Sequence, residues 1–127
     1  MLEVKLFTHT DLDGVGCAIL AKKHFENCDI EFCDYDNVNQ KIEHFIQNGD
    51  YTKYNRVYIT DISINEAISQ LIDCIKYETY FKLIDHHTTA LWLNNYEWAN
   101  VSEMNSSGDI TSGTELFYNY LIKDNTR

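Results

Sequence analysis

The sequence predicts an α/β domain built on a parallel sheet, with helices on both faces in a three-layer α/β/α arrangement. Short apolar runs, several of them β-branched, recur as EVKLFT (3–8), RVYIT (56–60) and YFKLID (80–85). Longer stretches between them return an apolar residue every three to four positions. Strands separated by helices are joined by crossovers, and such crossovers connect parallel strands in a right-handed sense. At 127 residues the chain is sized for one domain, and 44% apolar with 13% aromatic content supplies a core.

Glu3–Thr8 reads as the first strand. A helix follows from Gly14 to Asn27, with Gly14 taken as the residue that turns the chain sharply. Ile30–Tyr35 reads as the second strand. Val38, Ile42, Phe45 and Ile46 share one face of a helix that runs to Gln47 and stops at Asn48-Gly49. RVYIT suits a strand buried on both faces. Ile64, Ala67, Ile68, Leu71, Ile72 and Ile75 mark the clearest helix, and Tyr80–Asp85 is again strand-like. Beyond a polar loop around Asn105–Gly108, Leu116, Phe117, Tyr120 and Leu121 mark a last helix. Ser112 and Glu115 are spaced there as a capping box.

Twenty acidic against ten basic side chains give a net charge of −10. That excludes a basic surface gripping nucleic acid by phosphate neutralisation alone, and it makes divalent cations the natural helpers for a phosphate-bearing ligand. The longest apolar run, Gly14–Ala21, is eight residues, far below a membrane span. MLEVKLF has no signal-peptide layout, so the chain is expected in the cytoplasm. Cys17, Cys28, Cys33 and Cys74 form no CxxC pair and are expected to be buried, reduced thiols.

In a sheet of this kind ligands collect at the carboxyl ends of the strands, and three strands deliver reactive residues there. The first ends in Thr8-His9-Thr10-Asp11-Leu12-Asp13-Gly14. Asp11 and Asp13 are two apart, project the same way in extended backbone, and repel unless a cation lies between them. An acidic N-cap is the plainer reading of this weak DxDG signal. Asp61 directly follows RVYIT and by itself also reads as an N-cap. YFKLI ends in Asp85-His86-His87, three titratable groups that are costly to bury together without a cation. His24 and His44 fall on helix surfaces and read as solvated. If the strands are parallel, Asp11, Asp13, Asp61 and His86 converge on one edge of the sheet. Carboxylates and imidazole without thiolate suit Mn²⁺ or Mg²⁺, and two such ions roughly 3.5–4 Å apart clamp a phosphoryl group.

These residues resemble the DHH phosphoesterase superfamily, whose name stands here as Asp85-His86-His87. That superfamily includes RecJ-type single-strand exonucleases, nanoRNases, cyclic-dinucleotide phosphodiesterases and, more distantly, family II inorganic pyrophosphatases. THTDLDG (8–14) is similar to its first motif, ITD (59–61) to its second and LIDHH (83–87) to its third. TSGTELFYNYL (111–121) resembles the helix that follows. The resemblance makes residues 1–127 the amino-terminal portion of a DHH domain. It implies a piece that ends before the strand carrying one more metal-ligating aspartate, and that lacks the associated C-terminal domain. An open sheet edge left in this way is expected to pair between chains.

The resemblance also implies roles. Asp11 and Asp13 each contact one metal, Asp61 bridges both and His86 is a ligand. His87 contacts the scissile phosphate, and Asp85 orients the neighbouring imidazole. His9 is a further candidate ligand, although it stands two residues before Asp11 rather than the four of several relatives. The implied activity is hydrolysis of short single-stranded oligonucleotides or dinucleotides by metal-activated hydroxide, with a two-metal Mn²⁺ or Mg²⁺ site. Duplex DNA is not an expected partner, and turnover by this chain alone is expected to be weak or absent. The alternatives are a non-catalytic DHH-like interaction module and a pyrophosphatase-like phosphohydrolase.

Overall fold

The computed structural model describes residues 2–124. Its elements follow in order as β1 (Glu3–His9), α1 (Leu12–His24), β2 (Asn27–Cys33), α2 (Val38–Gln47), β3 (Arg56–Thr60), α3 (Glu66–Ile75), β4 (Tyr80–Asp85), β5 (Ala99–Val101) and α4 (Gly113–Lys123). Short 3₁₀ turns at Asp50–Lys53 and Thr88–Asn95 precede β3 and β5. All strand pairs are parallel, in the order β2-β1-β3-β4-β5. The chain moves outward from β1 to β2, then crosses back to β3 and proceeds the other way. The switch point therefore lies between the carboxyl ends of β1 and β3, where open α/β sheets hold ligands.

Alternation along each strand sends side chains into two separate cores. Val4, Leu6, Tyr58 and Ile84 pack with Cys17, Ala21, Phe117 and Leu121 of α1 and α4 on one face. Phe7, Val57, Ile59 and Leu83 pack with Ile42, Phe45, Ile68 and Ile72 of α2 and α3 on the other. The predicted three layers are present.

Several boundaries differ from expectation. α1 begins at Leu12 and ends at His24, and β2 runs from Asn27 to Cys33 rather than from Ile30 to Tyr35. Parallel pairing of Glu3 with Asn27 through His9 with Cys33 recruits the polar residues 27–29 into the strand. His24 is not solvated. Its side chain is 13% exposed, 3.9 Å from Asp124, whereas His44 is exposed as expected. Cys17, Cys28 and Cys33 are buried, but Cys74 lies on the outer face of α3. Of the capping box only half forms. The Glu115 amide donates to Ser112 Oγ (3.1 Å), while the Glu115 carboxylate turns to Thr111 and Asn105 instead of reaching back.

The sheet edges are guarded. On β5 the Asn94 carboxamide takes both outward groups of Val101, accepting from its N–H and donating to its carbonyl at 2.8 Å each. A side chain thus stands where a sixth strand would pair. On β2, Lys22 Nζ caps the carbonyl of Cys28 and Lys41 Nζ that of Phe32, placing charge on the edge. The expected open edge is closed at these positions. Two neutral hydrogen bonds of about 1 kcal/mol each are lost in Asn94→Ala. That variant is expected to lose about 2 kcal/mol in chemical denaturation and to self-associate in sedimentation at concentrations where the parent does not.

Candidate metal centre

β1, β3 and β4 lie side by side, so their carboxyl ends bring His9 and Asp11, Asp61, and Asp85-His86-His87 to one edge of the sheet. Asp61 stands at the centre. Its carboxylate is fully buried, with Oδ1 3.0 Å from His86 Nε2 and Oδ2 3.8 Å from His9 Nδ1. His9 Nδ1 is also 3.0 Å from Asp11 Oδ2, and His86 Nε2 is 3.3 Å from Asp13 Oδ2. Two groups of ligand atoms are close enough to share an ion: His9, Asp11 and Asp61, and Asp61, Asp85, His86 and His87. Asp61 is in both.

Asp61 is not the N-cap it resembled, because α3 starts at Glu66 with Asn65 as its cap. Instead it has φ 60°, the only non-glycine residue in the left-handed region among the described residues. Aspartate tolerates that conformation better than most side chains, at a cost on the order of 1 kcal/mol. Its amide donates to the Ile84 carbonyl at 3.0 Å, which fixes the strained residue against β4.

Asp11 and Asp13 do not project together, since α1 begins between them. Asp11 caps α1, accepting from the Gly14 amide at 2.8 Å. Asp13, in the first helical turn, reaches across to α4. There Gly113 N donates to its Oδ2 and Thr114 N to its Oδ1, both at 2.8 Å, and the Thr114 hydroxyl lies 2.5 Å from Oδ1. An acid clamped by the amides of a helix N-terminus is a stable arrangement in itself. A Cβ on Gly113 would come within 2.9 Å of Asp61, so α4 meets the centre through a glycine.

Behind these groups, the Thr60 hydroxyl donates to Thr8 Oγ1 (2.9 Å), and Thr8 donates in turn to the Gly14 carbonyl (3.0 Å). Thr8, Thr60, Gly113 and Thr114 carry no role in the sequence reading. The available signal was TSGT directly before an amphipathic helix, which marks a helix N-terminus with free amides.

The carboxylates divide their charge unequally. Burial, then the neighbouring Asp11 and Asp13, push Asp61 up to about 9. Burial works in the same direction on Asp13, but hydrogen bonds from Thr114, Asp61 and Gly113 outweigh it and hold Asp13 below the usual range. Asp11 is lowered as well: burial is outweighed by the contact with Asp61, the Gly14 amide and His9. Cys17, buried behind the site, is pushed up to about 12 by burial and is inert as a nucleophile.

Residues 3–127 match the DHH family, N-terminal domain. The chain belongs to the DHH family. This DHH domain is 37% identical over 122 residues to oligoribonuclease NrnB of Bacillus subtilis (strain 168), covering 94% of this chain and 31% of that protein. It therefore spans about a third of the relative's length. A crystal structure of an uncharacterized protein from Helicobacter pylori G27 shares the fold, with a TM-score of 0.80 and 21% identity over 97% of this chain and 37% of the other.

The donor atoms of the DHH centre fit a cation. Asp61 Oδ2 and Asp85 Oδ2 are buried and accept no hydrogen bond, and buried His9 Nδ1 faces the Asp11 and Asp61 carboxylates at 3.0 and 3.8 Å without an aligned bond to either. Such atoms carry a large desolvation cost unless a further group meets them. Facing imidazole and carboxylate donors without thiolate, that group fits a divalent cation. If Asp13 serves the cation, Thr114→Val, which removes one clamp on it, is expected to weaken divalent-cation affinity about 10-fold in calorimetry, with Thr114→Ser restoring it.

Proposed function

We propose that this chain forms the metal-binding part of a phosphodiester hydrolase acting on short single-stranded oligoribonucleotides. The observation that carries the reading is Asp61, a buried carboxylate that belongs to two ligand groups and leaves one oxygen unpartnered. The likeness to an oligoribonuclease supports the substrate class.

In this reading His9, Asp11 and Asp61 hold one cation. Asp61 and His86, with Asp13 alongside, hold a second. Mn²⁺ is favoured because carboxylate and imidazole donors are mixed. Bound there, such ions supply Lewis acidity toward a phosphoryl oxygen and lower the pKa of water. The chain's own residues do the rest. Asp85 lies 2.7 Å from His87 Nδ1, so the buried carboxylate orients His87 rather than His86. With Nδ1 committed, Nε2 of the partly exposed His87 is the atom that meets a phosphoryl or leaving oxygen and delivers a proton to it.

The net charge of −10 disfavours long duplexes, whose binding rests on phosphate neutralisation. No helix among the described residues is long and apolar enough to cross a membrane. The test is Mn²⁺ calorimetry on metal-stripped protein, beside hydrolysis of 5′-phosphorylated RNA dinucleotides. Saturable binding with Mn²⁺-dependent release of mononucleotides supports the reading; no specific Mn²⁺ binding overturns it.

A further inference from the structure

Tyr35 is a large aromatic residue just beyond β2, and it is 52% exposed. Its ring meets the His9 ring edge-on at 5.1 Å between centroids and the His87 ring at 6.3 Å. Those histidines belong to the two different ligand groups that share Asp61. One exposed ring therefore flanks both halves of the centre, and neither imidazole stacks parallel on it.

The turn that carries the ring is tied down on both sides. Asp34 Oδ1 accepts from the amides of Asp36 (2.9 Å) and Asn37 (3.0 Å), and Asn37 Oδ1 accepts from the Asp34 amide (2.9 Å). Reciprocal side-chain bonds of this kind set a turn firmly. The Thr10 amide donates to the Cys33 carbonyl (3.1 Å) and ties the turn to the exit of β1. A preorganised aromatic costs little ordering on binding.

We propose that Tyr35 is a stacking platform for a nucleobase next to the phosphate held at the centre. This rests on the phosphodiesterase reading above and adds how the nucleoside is held. The charge pattern favours a base over a phosphate as its partner. Asp34 and Asp36 flank the ring in sequence, and no lysine or arginine among the described residues pairs with a residue of the centre. Where phosphate neutralisation by side chains is missing, base–aromatic stacking supplies affinity that tolerates any sequence.

The experiment measures equilibrium binding, in Mn²⁺, of an RNA dinucleotide whose linkage carries a non-hydrolysable methylene, and of the same molecule lacking both bases. Mn²⁺ calorimetry is run on every variant. Tyr35→Ala is expected to weaken the base-bearing probe about 5- to 150-fold, to bring its affinity to that of the abasic probe, and to leave Mn²⁺ binding intact. Tyr35→Phe is expected to restore the difference. Equal losses on both probes would make Tyr35 a prop for His9 and overturn the proposal, as would no loss on either. If the parent binds Mn²⁺ but prefers neither probe, the stacking site fails while the metal centre stands. If it binds no Mn²⁺, the underlying reading fails with it.

Discussion

Asp61→Asn is expected to raise the thermal stability of the metal-free protein and to lower its Mn²⁺ affinity at least about 100-fold, or about 2.7 kcal/mol. Both effects have one cause. Asp61 is fully buried beside Asp11 and Asp13, so its charge is unwelcome until a cation arrives. Asparagine keeps the shape and removes the charge, and it accepts the φ of 60° that alanine would adopt at an added cost of about 1–2 kcal/mol. The pH dependence separates this from a general packing effect. Folded Asp61 keeps its proton up to about 9, whereas the unfolded chain releases it near 3.8. Between those values the unfolded state binds fewer protons at this site, so its contribution to stability falls as pH rises and is lowest above about 9. Melting curves in EDTA at pH 5 and 8.5 should show the two proteins diverging, with the variant ahead at the higher pH. A variant less stable than its parent at pH 8.5, or one that still binds Mn²⁺ fully, would remove Asp61 from the centre.

The same residues show how far the sequence could be read. The strand ends were legible because β-branched runs stop at acidic or imidazole residues, and parallel pairing then brings those ends together. α3 was legible because its apolar period is carried by isoleucine and leucine. α1 buries Gly14, Cys17, Ala18 and Ala21 against the sheet, a face of small residues that leaves little periodic signal at its ends. β5 has three residues, and its middle one is asparagine, so no alternation could mark it. The clamp on Asp13 spans 100 residues of sequence, and the Asp124 group near His24 lies as far away. Neither contact has a local signature. Asp61 looked like a cap because acid-before-helix is the common pattern. Its left-handed backbone follows from the tertiary site, which outweighs the local preference.

Gly14 supplies the second large effect, and there the local and tertiary arguments predict opposite signs. It lies in the first turn of α1 without positive φ, which among the described glycines is confined to Gly49 and Gly108. Its role is therefore not a sharp turn. By helix propensity alone Gly14→Ala would stabilise by about 0.5–1 kcal/mol. A Cβ at this position, however, would stand 1.8 Å from the His9 carbonyl oxygen and 2.6 Å from its carbon. Those are backbone atoms of β1 that cannot swing away. Relief requires α1 to move off the strand, and that motion breaks the Thr8–Gly14 bond, the Asp11 cap and the reach of Asp13 to α4 together. Overpacking against rigid atoms costs up to about 3 kcal/mol, well beyond the propensity gain. Gly14→Ala is thus expected to lower the melting temperature and to lose Mn²⁺ binding. Gly49→Ala, strained at φ 81° with open space around its Cβ position, should lose about 1 kcal/mol and keep the metal. An unchanged or raised melting temperature for Gly14→Ala would mean that α1 can slide along β1 without disturbing the centre. The glycine in the DxDG motif would then serve the helix alone. A loss of metal binding that outruns the loss of stability would instead identify the close approach of α1 to His9 as the feature that sets the spacing of Asp11, Asp13 and His9.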